Sequence, residues 1–148
     1  MTVGMKKIAL FILLLAFGGP CEGSVRDDIM CLAKNIYFEA NTQSYLGQQA
    51  VAFVTLNRVA SGSYPSNICD VVWQPKQFSW TNDGNPHVPR NIKKFSIAMA
   101  AAVYVYTNYG RVDDPTRGAT MYHTVYINPW WNPYYTPTVI IGEHIFLK

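Results

Sequence analysis

Charged side chains are scarce: Asp, Glu, Lys and Arg make up 14% of the 148 residues, against roughly 25% in ordinary soluble domains. The formal net charge of +3 gives no basic footprint, which argues against a nucleic-acid binder. Three cysteines and three histidines occur, with no Cys-x-x-Cys and no His-Glu-x-x-His, so zinc has little support. No repeat, heptad seam or low-complexity tract is present. Apolar and aromatic residues are abundant instead, at 49% and 14%, with ten Tyr, seven Phe and four Trp. That balance is the reverse of a disordered chain. The length suffices for one compact core and not for two.

The first 23 residues read as an address. Lys6 and Lys7 precede an unbroken apolar run from Ile8 to Phe17, which Gly18, Gly19 and Pro20 break. A basic start, a short apolar stretch and small residues make a secretory signal peptide. Cleavage after Gly23 puts Cys21 and Gly23 at the two small-residue positions. The alternative is an uncleaved membrane anchor, although the run is shorter than the roughly 20 residues that span a bilayer. Residues 24–148 are then one exported domain, in the periplasm, the cell wall or outside the cell. It carries ten basic and eight acidic residues, a net of +2, which suits an anionic polymer such as a cell wall. Its two cysteines, Cys31 and Cys69, are expected to pair in an oxidising compartment.

The exported part reads as a mainly helical α+β domain with long aromatic loops. Asp27 and Asp28 favour a helix N-terminus, and Ile29, Leu32, Ala33, Ile36, Tyr37 and Ala40 recur at three- and four-residue steps. That spacing predicts a helix over 27–41. A second helix is expected over 46–60, ended by Ser61-Gly62-Ser63, and a third over 92–108. A helical turn is expected at Ile68–Trp73, and β-prone pieces at Ala119–His123 and Val139–Phe146. Between these pieces lies the loop Asn128-Pro129-Trp130-Trp131-Asn132-Pro133-Tyr134-Tyr135. Long loops inside a small domain are often functional.

The exported part has eight carboxylates: Asp27, Asp28, Glu39, Asp70, Asp83, Asp113, Asp114 and Glu143. The first two are helix-start charges, and the other aspartates sit in turn-like contexts. Glu39 differs, because Tyr37, Phe38 and Ala40 surround it on a largely apolar helix. A carboxyl among aromatics has its protonated form favoured, as a general acid requires near neutral pH. A water-facing glutamate at a helix end is the plainer alternative. Tyr45, Phe78, Trp80, Trp130, Trp131, Tyr134 and Tyr135 are candidates for a carbohydrate surface, or equally for the core. Flat rings cover the apolar face of a sugar while amides and hydroxyls bond its OH groups.

An ordered set of short motifs completes the pattern. Ala33-Lys34-Asn35-Ile36-Tyr37-Phe38-Glu39-Ala40 is followed by Gly47-Gln48-Gln49-Ala50-Val51-Ala52 and Leu56-Asn57-Arg58-Val59. Tyr64-Pro65, Cys69, Val71-Val72 and Gln77-Phe78-Ser79-Trp80 come next. Ala119, Tyr122-His123, Trp131 and Ile141-Gly142-Glu143-His144-Ile145-Phe146 close the series. Over residues 29–148 the chain resembles the SleB/CwlJ-type cell wall hydrolase family of spore-cortex lytic enzymes, also found in bacteriophage. The resemblance implies a single domain similar to lytic transglycosylases and goose-type lysozymes. It implies cleavage of peptidoglycan glycan strands, with Glu39 as the acid; no cofactor is expected. The chain departs from the family where Asn41-Thr42-Gln43 replaces an Arg-Gly-Glu carried by many members, which removes nearby charges.

Ordinary glycosidases use two carboxylates, whereas a lytic transglycosylase needs one. No second carboxylate has a setting like that of Glu39, so transglycosylation is expected, with Asp70 or Asp83 as the residues that would make hydrolysis possible. Gln77, Phe78, Ser79, Trp80, Tyr122, His123 and Trp131 are expected to line the groove. Two rivals remain at this point. One is a metal-dependent enzyme of the same family, using Glu39, His123, Glu143 and His144. The other is a non-catalytic wall-binding module that uses only the aromatic loops. An amidase or peptidase lacks a nucleophile. The membrane enters only through the N-terminal segment.

Overall fold

The computed structural model describes residues 24–148. The expected signal segment, residues 1–23, lies outside them. Helix α1 spans Val25–Ala40, α2 Tyr45–Ser61, α3 Ile68–Val72 and α4 Ile92–Asn108. Strands β1 (Met121–Thr124), β2 (Pro137–Ile141) and β3 (His144–Leu147) follow, and 3-10 turns cover Ser79–Asn82 and Asn132–Tyr134. Among the described residues no helix is long and apolar enough to cross a membrane.

Each α-helix starts on a side-chain cap. Ser24, Ser44, Asn67 and Asn91 accept the backbone N–H of Asp27, Gly47, Asp70 and Lys94 respectively. Each cap satisfies one donor that the first turn leaves free. Asp27 and Asp28 add negative charge at the positive end of α1. At the other end, Asn41 Nδ2 donates to the Tyr37 carbonyl. Helix α2 stops at Gly62, whose φ of 73° suits a residue without a Cβ.

The main core joins α1, α2 and α4 through Leu32, Ala33, Ile36, Ala52, Phe53, Leu56, Ala98, Ala101, Ala102 and Val105. The alanines of α4 give the α1–α4 contact small side chains on one face. A second cluster, Ala50, Val54, Ala119 and Phe146, lies between α2 and the sheet. Helix α2 therefore packs on both sides, which explains why it is apolar nearly all round. A Cys31–Cys69 disulfide ties α1 to α3, as the oxidising-compartment argument expects.

The sheet has order β1-β3-β2, with both pairings antiparallel. Tyr122 faces Phe146 and His123 faces Ile145 across β1 and β3. The sequence suggested one β-prone piece over 139–146; the structure breaks it into a hairpin at Gly142, φ 58°. The positive φ favours glycine there, and a Cβ would also press on the tip of the Gln43 side chain. The two 3-10 turns were not expected from apolar spacing. Asn57 of α2 holds the loop before β1, donating to Asp114 Oδ2 and the Ala119 carbonyl and accepting from the Tyr109 hydroxyl.

Candidate active site

Glu39 occupies the last turn of α1, where the helix passes the sheet. The Tyr122 hydroxyl of β1 donates to Glu39 Oε2 over 2.9 Å. Burial pushes the Glu39 carboxyl above the ordinary glutamate range, while the Tyr122 bond and the Arg58 charge pull the other way. Burial also holds the Tyr122 hydroxyl well above its usual value, with the adjacent Glu39 charge acting the same way. It therefore remains a donor. Its ring packs edge-on against His144 at 5.2 Å and lies tilted against Phe146 at 5.7 Å. The strand register thus aims one hydroxyl at one carboxylate.

Below the site, Arg58 is 3% exposed. Its Nε–H donates to the Thr120 carbonyl at 2.7 Å, and its guanidinium lies 5.1 Å from the Tyr64 ring centre and 5.2 Å from that of Phe78. Nη1 has no hydrogen-bond partner. Burial lowers the Arg58 pKa, but an arginine remains charged.

A second support comes from Asn35, one helical turn before Glu39. Its side chain is fully buried, donating to Thr55 and accepting the Trp80 indole N–H at 3.1 Å. Trp80 also stacks on Phe38 with ring centres 4.6 Å apart. These contacts fix the loop that carries Gln77, Phe78 and Ser79 beside the helix end.

Two depressions of about 410 Å³ each flank Glu39 and share Glu39, Gln77, Tyr122 and Trp131 in their walls. Such volumes are in the range of small-ligand sites. One half adds Arg58, Lys76, Phe78, Met121 and Trp130. The other adds Phe38, Ser79, His123, Thr124, Ile127, Pro129 and His144. A cleft with its carboxyl at the junction suits a chain polymer whose scissile bond sits at Glu39.

Of the expected groove residues, Gln77, Phe78, Ser79, Tyr122, His123 and Trp131 line one half or both. Trp80 lines neither; it is 6% exposed and belongs to the core under the loop. His123 is buried as well, bonding the Thr124 carbonyl and Asn132 Oδ1 while its ring meets Trp131. It thereby fixes the tryptophan loop. Arg58, Lys76, Met121 and His144 were missed as groove residues. Arg58 had a signal, because it falls on the buried face of α2 one turn after Val54.

Among the described residues no other carboxylate lines either half. Asp70 is an exposed first-turn residue of α3. Asp83 accepts the Asn85 backbone N–H in its own exposed turn. Glu143 is held on the surface by Gln43 and Tyr126. Glu39, His123, Glu143 and His144 therefore do not converge, and among the described residues no three His, Cys, Asp or Glu side chains form a metal-binding group.

The chain is similar to known proteins in both sequence and fold. The family described as cell wall hydrolase matches residues 42–147. The spore cortex-lytic enzyme of Bacillus cereus is 34% identical over 135 residues, covering 86% of this chain and 46% of that protein. The Bacillus subtilis spore cortex-lytic enzyme is 31% identical over 130 residues, 85% of this chain and 39% of that one. The chain thus spans less than half the length of these curated relatives. The catalytic domain of the germination-specific lytic transglycosylase SleB from Bacillus anthracis superposes with a TM-score of 0.71 at 33% identity, over 86% of this chain and 98% of that one. The SleB catalytic domain of Bacillus cereus gives 0.71 at 32%, over 88% and 99%. The α+β, mainly helical architecture is that of these domains, and the chain belongs to the cell wall hydrolase family.

Proposed function

We propose that this protein cleaves peptidoglycan glycan strands as a lytic transglycosylase, acting between MurNAc and GlcNAc with Glu39 as its single acid and base. The observation that carries this is one carboxyl, raised by burial and bonded by Tyr122, at the junction of two cleft halves that hold no second carboxylate among the described residues. Protonated Glu39 gives its proton to the glycosidic oxygen. The resulting carboxylate then takes the proton of the MurNAc 6-hydroxyl as that oxygen attacks its own anomeric carbon. The product is a 1,6-anhydro sugar, and no water is consumed. Tyr122 steadies the carboxylate between the two steps.

Gln77, Ser79 and the Trp131 ring offer amide, hydroxyl and stacking contacts to the sugars. Membership of the cell wall hydrolase family and likeness to a lytic transglycosylase domain support the substrate class. The substrate lies outside the cytoplasm, which fits residues 1–23 as an export signal, cleaved or retained as an anchor. Residues 24–148 are then the catalytic domain.

Chromatography of purified peptidoglycan treated with the wild-type protein or with Glu39→Gln tests the assignment. The wild type is expected to release muropeptides, and the variant to be at least about 10²-fold slower, the scale of general acid catalysis. Undiminished release by Glu39→Gln would overturn it.

A further inference from the structure

The two cleft halves differ in charge. One is lined by neutral hydroxyl and ring groups around His123 and His144, and burial lowers the His144 pKa. The other holds two cations, Arg58 and Lys76. Neither is neutralised by an acid: the ion pair found among the described residues is His87–Asp83. Arg58 is buried with Nη1 unpartnered. Glu39 is the carboxyl nearest at hand, and burial favours its uncharged form.

Lys76 carries a second oddity. Its φ is 65°, in the left-handed region where a Cβ is unfavourable and glycine is the usual occupant. The chain keeps an exposed lysine in strained backbone at the rim of the cleft. Backbone strain of this kind is concentrated at functional sites. The positive φ closes the turn Gln74-Pro75-Lys76-Gln77, in which the Gln77 N–H donates to the Gln74 carbonyl at 3.2 Å. Glycine would meet the needs of that turn, and the lysine side chain belongs to neither core cluster.

We propose that Lys76 is a specificity residue that recognises a carboxylate on the lactyl arm of the muramic acid bound in this half of the cleft. This rests on the strand-cleaving function proposed above. Arg58 is too enclosed to reach the ligand; it contributes its field, and the Lys76 ammonium on its flexible stem makes the contact. The carboxylate is either the free lactyl acid of a peptide-stripped strand or the nearest carboxylate of a stem peptide. A lactyl arm capped as an amide, without a peptide, offers neither.

The test uses three glycan strands of matched length: lactyl free acid, lactyl methylamide, and intact stem peptide. Cleavage by the wild type, Lys76→Gly and Lys76→Arg is compared, together with binding of each strand to Glu39→Gln carrying Lys or Gly at position 76. Glycine fits the backbone at this position, so Lys76→Gly is expected to unfold at no lower temperature than the wild type. The wild type is expected to favour a carboxylate-bearing strand over the methylamide by about fivefold to tenfold, through KM, the scale of a single partly exposed charge contact. Added salt weakens the preference, Lys76→Gly removes it and Lys76→Arg restores it. Preference for the free acid identifies the lactyl carboxylate, and preference for the peptide strand alone identifies the stem. No preference in the wild type, or the same preference in Lys76→Gly, overturns the proposal. Cleavage undiminished by Glu39→Gln would instead strike at the proposed function, and the binding comparison would still judge Lys76.

Discussion

Tyr122 and Glu39, 83 residues apart, meet in a 2.9 Å hydrogen bond from phenol to carboxylate. The bond favours ionised Glu39 and opposes the effect of burial. Tyr122→Phe removes the donor and leaves the ring contacts with His144 and Phe146. Glu39 then holds its proton to higher pH, so the alkaline limb of the activity profile moves up. The carboxylate needed in the second step loses a bond of about 1.5–3 kcal/mol, so kcat should fall roughly tenfold to a hundredfold. A pH–rate profile of the variant checks both effects. An unmoved alkaline limb would separate Tyr122 from the proton of Glu39.

Glu39 also bears on stability. Its carboxyl binds a proton more tightly in the folded protein than in the unfolded chain. Between the unfolded pKa and the raised folded one, the folded state holds more protons, so stability falls as pH rises through that window. Glu39→Gln removes the penalty and its amide oxygen still accepts from Tyr122. Thermal unfolding should show the variant more stable than the wild type at pH 8, with no gain at pH 4 or below. A variant less stable at pH 8 would mean that the ionised carboxylate stabilises the fold.

Gln43 lies in the turn that follows α1. Its amide donates to Glu143 Oε2 at 2.8 Å and accepts the Glu143 backbone N–H at 3.1 Å. The amide thus locks the β2–β3 hairpin to the end of α1. These contacts, with the Tyr126 hydroxyl, hold the Glu143 carboxyl below its usual value. Gln43→Glu keeps the acceptor but sets two carboxylates together. The variant should melt lower than the wild type at pH 7, and the difference should shrink as pH falls and the carboxylates take up protons. Equal melting at pH 7 would show the contact to be inert.

The Cys31–Cys69 bridge closes a span of 38 residues. Chain-entropy arguments put such a loop at about 3–4 kcal/mol. Replacing both cysteines by alanine should lower the denaturation free energy by about that amount, measured by urea unfolding in the oxidised state. A loss below about 1 kcal/mol would show that the reduced chain is already ordered there.

Much of this was legible in the sequence. The three long helices follow from apolar spacing and polar caps, and Glu39 was marked by its aromatic neighbours. The disulfide follows from the expected export signal and the two cysteines left after it. Other features depend on contacts far apart in the chain. Trp80 looked like a sugar platform because nothing local shows that its indole N–H is taken up by Asn35. Residues 139–146 read as one β-prone piece because a lone glycine among β-prone residues suits a strand or a turn equally; the positive φ at Gly142 makes it a turn. Lys76 gave no signal, since its backbone conformation is not a property of composition or spacing.

In the proposed mechanism a single carboxyl does the work of two. Digestion of peptidoglycan in ¹⁸O-labelled water, followed by mass spectrometry of the fragments, tests that most directly. A lytic transglycosylase leaves 1,6-anhydro-MurNAc ends with no label, because the attacking oxygen is the sugar's own. Reducing ends carrying one ¹⁸O would show that water attacked, and would contradict the one-carboxylate mechanism.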